Sequence, residues 1–148
     1  MAKGLLQIEV GEELTPSAWL KIDQARINLF ADATGDHQWI HIDPKRCEKE
    51  SPFKTTIAHG YLSVTLMPES FYHMVQLDSA SQTVLNYGID KIRFLEPVRV
   101  NDEIRFVSSL ARKEKKPLGT LFSFDTQIEI KGRDKPAAVG TFLMMLLA

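Results

Sequence analysis

Three of the chain's four histidines and two turn glycines fall in one polar stretch, Thr34 to Tyr61. Within it, Asp36 and His41 are the side chains best suited to proton chemistry. A carboxylate and an imidazole can divide acid and base duties near neutral pH, contributing roughly 10²–10⁴-fold to a proton transfer. Spacing alone leaves a second reading open, in which Asp36 caps a turn and His41 satisfies a nearby backbone group. Gly60 adds a different capability. If it opens a helix, its amide and that of Tyr61 are unsatisfied donors that can hold a developing negative oxygen; a glycine permitting a tight turn is equally compatible. His37, His41, Asp43 and His59 are metal-ligating types. His37 and His41 share a face only on a helix, however, which Gly35 and the Trp39–Ile42 run argue against, so the expectation is no metal.

The elements that must position these residues follow from pattern. Residues 5–10 alternate loosely and predict a short first strand. Asp23 as N-cap, Ile27, Phe30 and Ala31 at helical spacing, and Gly35 just past the end predict a helix over 23–34. Asp43-Pro44 predicts a brief second helix over 44–50, with Asp43 as its cap. Tyr61 to Leu77 reads as a long helix, apolar on more than one face and kinked at Pro68. His73 on it reads as a surface or satisfied residue. The rest is β: Ile89–Val100, Ile104 to about Arg112, Leu118–Ile130 and Ala137–Leu147, with Lys113–Pro117 as a charged connection. Thr120, Phe122, Phe124, Thr126, Ile128 and Ile130 share one face of the third, and Ser123, Asp125, Gln127 and Glu129 the other. The sum is an α+β chain, one domain over 1–148, in which an antiparallel sheet wraps a long helix: the hot-dog arrangement.

Composition removes several function classes. With 18 basic and 19 acidic residues interspersed, the formal charge of −1 offers no basic stripe for nucleic acid and no polybasic patch for a membrane. Gln7 and Glu9 interrupt the amino terminus before a signal-peptide apolar region forms, and no run reaches the ~20 apolar residues of a membrane span, so a cytoplasmic location is expected. Cys47 is the only cysteine and reads as a bystander thiol. The apolar final strand, Phe142 to Leu147, exceeds what one subunit is expected to cover and points to a homodimer.

Phe30-Ala31-x-x-Thr34-Gly35-Asp36-x-x-x-Ile40-His41-x-Asp43-Pro44, followed by Ile57-Ala58-His59-Gly60, resembles the MaoC-like group of (R)-specific enoyl-CoA hydratases, in its nodulation-protein-N-like branch. Asn86-Tyr87-Gly88-x-x-Lys91-x-Arg93-Phe94-x-x-Pro97-Val98 is similar to that branch as well. The resemblance implies a hot-dog fold, usually dimeric, acting on acyl thioesters of coenzyme A or an acyl-carrier protein without metal or redox cofactor. It implies Asp36 and His41 as the catalytic pair and the Gly60 amide as the thioester-oxygen donor, with Gln38, Trp39, His59 and Tyr61 as substrate-binding positions. The commonest hydratase motif carries asparagine and then proline where this chain has Gln38 and Trp39. That departure keeps two further readings in view: an acyl-thioester binding module with little turnover, and a hot-dog thioesterase.

Overall fold

The computed structural model describes residues 1–148. Five strands form one antiparallel sheet: β1 (Leu20–Lys21), β2 (Val84–Phe94), β3 (Glu103–Lys116), β4 (Gly119–Ile130) and β5 (Ala138–Leu147), in the order β1-β3-β4-β5-β2. Thr120, Phe122, Phe124, Thr126, Ile128 and Ile130 of β4 are buried as their period predicts, but the alternation shows only from Asp125 on: Leu121 and Ser123 on the other face are buried too, because the first half of this interior strand is covered on both sides. Ile104, Phe106, Ser108 and Leu110 of β3 and Phe142, Met144 and Leu146 of β5 extend that buried face. Its two hydroxyls, Ser108 and Thr126, satisfy one another at 2.8 Å. Against this face pack Leu62, Met67, Phe71 and Met74 of the helical layer, Phe71 meeting Phe124 edge to face at 5.1 Å. This is the hot-dog fold.

The helices are α1 (Gln24–Thr34), α2 (Trp39–Ile42), α3 (Pro44–Glu50), α4 (Gly60–Thr65) and α5 (Met67–Met74). The caps are those the sequence signals: Asp23 accepts from the Arg26 amide at 2.9 Å, Gly35 ends α1 in the left-handed region at φ 81°, and Asp43 accepts from the Arg46 amide at 3.0 Å. The long helix is not one kinked helix. It is α4 and α5, separated at Leu66, because Pro68 in the first turn of α5 has no amide to continue the ladder.

Four other boundaries differ from the sequence reading. Leu5–Gln7 is a 3₁₀ turn rather than a strand: Leu5 and Ile8, three apart, are buried, whereas Leu6 and Val10 are exposed. β1 was invisible because two residues carry no period. β2 begins earlier and ends at Phe94; beyond it Leu95–Val100 leaves the sheet and pairs with the loop ahead of α4, through Ala58 N–H to Val98 O (2.8 Å) and Val100 N–H to Thr56 O (3.0 Å). β3 runs on through Lys116, since after a bulge between Leu110 and Arg112 the lysine segment keeps pairing with Gly119–Phe122.

If the Phe71 contact is integral to the fold, Phe71→Ala costs about 3–5 kcal/mol, measured as a fall in the urea midpoint at constant slope. A loss under about 1 kcal/mol would show that α5 contributes little to the core.

Candidate active site

Gly35 turns the chain out of α1 and delivers Asp36 to the mouth of a cavity of about 480 Å³. His41, on the one-turn helix α2, enters the same cavity from below and is buried, and His59, the residue capping α4, is buried beside it. An Asp36 carboxylate oxygen, a His41 ring nitrogen and a His59 ring nitrogen all lie within 4.8 Å of one another. The Asp36 side chain is half exposed, with one oxygen accepting from the Gln38 amide at 3.3 Å. It makes no direct hydrogen bond to His41, although a ring nitrogen of that residue lies within 4.8 Å of a carboxylate oxygen.

The tautomers follow from the partners. His41 Nδ1 lies 2.7 Å from the Ile57 carbonyl oxygen, which can only accept, so Nδ1 carries the proton and Nε2 presents a bare lone pair. His59 Nε2 lies 2.9 Å from the Asp36 carbonyl oxygen and is likewise the protonated nitrogen. The two rings stack at 3.8 Å with planes 23° apart. Burial lowers the pKa of His41 from 6.5, opposed by its bond to Ile57; nearby His59 lowers it further and Asp36 raises it. Burial thus favours the neutral imidazole, whose Nε2 can accept a proton, and makes it a weaker base than a free one.

The Gly60 and Tyr61 amides, at the start of α4, have no acceptor within the protein and border this cavity. Phe94 closes the wall over Gly60: a Cβ added there would lie 2.8 Å from the Phe94 ring, and Tyr61 meets the same ring edge-on at 5.8 Å. A larger residue there would have to push the Phe94 ring aside. Ala58, Val98 and Ala138 give the remainder an apolar lining.

Gln38 and Trp39 do not line the cavity. Gln38 is an exposed residue at the start of α2, and Trp39 turns outward beneath the Arg46 guanidinium, 4.2 Å from its ring centre. His37 is drawn away to the surface by Asp32 at 3.0 Å, a contact that raises its pKa. Asp43 is occupied as the α3 cap. His73 pairs with Glu69 on the surface at 3.0 Å, and Cys47 is buried, its thiol pushed up in pKa first by burial. Of the four candidate metal ligands, only His41 and His59 thus come together, joined by Asp36. Stacked rings aim their in-plane lone pairs along nearly parallel planes, whereas zinc needs nitrogens converging at about 2.0–2.1 Å. The helical turn at Trp39–Ile42, which the sequence argued against, serves instead to bury His41.

The sequence also gave no hint of Gln24. Its amide nitrogen donates to the His41 carbonyl at 2.7 Å while its oxygen accepts from the buried Thr56 hydroxyl, tying α1 to both loops of the site. Its partners lie 17 and 32 residues away, beyond any local pattern. Phe94 and Ser63 also line the cavity and had no site signal of their own.

Residues 6–123 match the family described as MaoC like domain. The chain belongs to the MaoC-like dehydratase family. It is 41% identical over 144 residues to 3-hydroxyacyl-thioester dehydratase Z of Mycobacterium tuberculosis, covering 97% of this chain and 94% of that protein. It is 40% identical over 136 residues to Nodulation protein N of Rhizobium meliloti, covering 90% and 84% respectively. These matches agree with the nodulation-protein-N-like branch. Among solved structures, a monoamine oxidase regulatory protein from Archaeoglobus superposes with a TM-score of 0.81 at 19% identity, covering 99% of this chain and 97% of that one. The R-hydratase PhaJ1 from Pseudomonas aeruginosa superposes with a TM-score of 0.76 at 24% identity, covering 95% and 83%. At those identities the superpositions establish the shared MaoC-like fold.

Two outcomes test this geometry directly. In a proton NMR titration, His41 should have a midpoint below 6.5, the ordinary histidine value; a midpoint above it would mean that burial does not govern the ring. Gly60→Ala should displace the Phe94 ring and lower the melting temperature. In a Phe94→Ala background the same change should cost about 1 kcal/mol less, a coupling typical of residues in contact. Additive costs would place the two residues out of contact.

Proposed function

We propose that the protein is a hydro-lyase acting on acyl thioesters, hydrating trans-2-enoyl-CoA to (3R)-hydroxyacyl-CoA or catalysing the reverse dehydration. The observation that carries this reading is the gap between the Asp36 carboxylate and the bare nitrogen of neutral His41, beside the free amides of Gly60 and Tyr61. In hydration, a water held in that gap loses a proton to the pair as its oxygen bonds to the β carbon. The double-bond electrons move toward the thioester, and the enolate-like oxygen is held by the Gly60 amide. The pair then returns a proton to the α carbon, so water adds with no net change in the enzyme. One well-aimed amide donor of this kind is worth roughly 2.7–4 kcal/mol in other enzymes. The name of the mycobacterial relative supports the same chemistry.

His59 and Tyr61 border the thioester head in this reading. Gln38 and Trp39 act outside it, on the support of α2. The thioester is carried by coenzyme A or an acyl-carrier protein, and no metal or redox cofactor takes part. The working form is a homodimer. Strand β5, whose apolar run suggested this, is interior to the sheet, with Phe142, Met144, Met145 and Leu146 buried within the subunit. The unpaired apolar surface lies on the edge strand β2, where Leu85, Tyr87 and Ile89 are exposed. No helix is long and apolar enough to cross a membrane.

Purified protein mixed with crotonyl-CoA should lower the ultraviolet absorbance of the conjugated enoyl thioester until the hydration equilibrium is reached. Asp36→Asn and His41→Ala should each lower kcat by at least about 10²-fold. Full retention by either variant would remove that residue from the mechanism, and released thiol in place of hydration would make the protein a thioesterase. Sedimentation should give a dimer that Ile89→Lys dissociates; a monomeric wild type would contradict the assembly.

A further inference from the structure

Three buried side-chain polar atoms have no hydrogen-bond partner in the protein: His59 Nδ1, Ser63 Oγ and Ser123 Oγ. The first two belong to residues lining the same cavity. Ser63 stands one helical turn after His59, and its amide reaches back to the His59 carbonyl at 3.5 Å. Its hydroxyl is not absorbed by the helix backbone, whereas Thr65, two residues on, donates its own to Leu62 O at 2.9 Å.

The two orphaned atoms are complementary. Because His59 Nε2 gives its proton to the Asp36 carbonyl, Nδ1 is left as a pure acceptor, and the serine hydroxyl is a donor that turns about a single bond between staggered positions. Buried polar groups are ordinarily paired, so two unpaired ones side by side in one cavity call for an explanation, and a partner made in a functional state is one. We propose that Ser63 is a positioning residue for the catalytic pair. With a thioester in the cavity, its hydroxyl donates to His59 Nδ1 and completes a chain from Ser63 through His59 to the Asp36 carbonyl. That chain fixes the His59 ring, on which His41 stacks, and the backbone from which the Asp36 carboxylate projects. Linked bonds of this sort strengthen one another. Ser63 does not touch the reacting atoms; it acts through His59. The inference rests on the hydro-lyase reading above.

The test uses butyryl-CoA, a saturated thioester that cannot be hydrated, added to the ¹⁵N-labelled whole protein. The His59 Nδ1 resonance should move upfield on binding in the wild type and in Ser63→Thr, and stay in its unbonded position in Ser63→Ala. In steady-state hydration of crotonyl-CoA, Ser63→Ala should lower kcat about tenfold, the worth of one ordinary hydrogen bond, with KM unchanged, and Ser63→Thr should restore it. If the Gly60 and Tyr61 amides respond to butyryl-CoA while His59 Nδ1 does not, this inference falls and the hydro-lyase reading stands. A rise in KM at constant kcat also overturns it, by making Ser63 a substrate contact. If none of these groups responds, the thioester reading itself fails and the inference with it.

Discussion

Two histidines, each bound to a carbonyl on the other's loop, hold the site together. His41 from the first loop donates to Ile57 on the second, His59 at the end of the second donates to Asp36 on the first, and the rings stack between them. The Ile57 amide adds a third tie, to the Ile40 carbonyl at 3.0 Å. These bonds hold Asp36 and His41 of the first loop against His59 and the start of α4 on the second. They also choose the tautomers, since a carbonyl can only accept.

The rest of the fold maintains that cross-tie. Leu95–Val100 leaves the sheet to pair with residues 56–58, so the second loop is gripped from both sides. Gln24 reaches from α1 to His41 and Thr56. Below, α4 and α5 are anchored in the buried face of β3, β4 and β5, which makes the start of α4 a rigid point. The break at Leu66 shortens the helix behind Gly60 to six residues. What this end of α4 offers is therefore two free amides beside the Phe94 wall rather than a long helix's dipole.

Local signals in the sequence were legible where they stand alone. The caps at Asp23 and Asp43, the left-handed Gly35 and the alternation of β4 each depend on residues within one turn or one strand. Asp36, His41 and Gly60 were legible as candidates by type and by family resemblance. Their convergence was not, because it depends on ties between residues 16 and 23 positions apart. Gln38 and Trp39 stand where the family motif carries asparagine and proline, and a motif position does not say which way a side chain faces on a one-turn helix, where neither borders the cavity. The 3₁₀ turn at Leu5–Gln7 carries a strand-like pattern because six residues cannot separate a period of two from one of three.

The central claim is that Asp36 and His41 work on one substrate together, and its stereochemistry is the most direct test. An Asp36 carboxylate oxygen and a His41 ring nitrogen lie within 4.8 Å of one another. If this one pair both takes the proton from the adding water and returns a proton to the α carbon, oxygen and hydrogen reach the enoyl plane from the same side. Hydration of crotonyl-CoA in D₂O, with the relative configuration of the α-deuterium and β-hydroxyl read by proton NMR, should give syn addition. Anti addition would contradict the account.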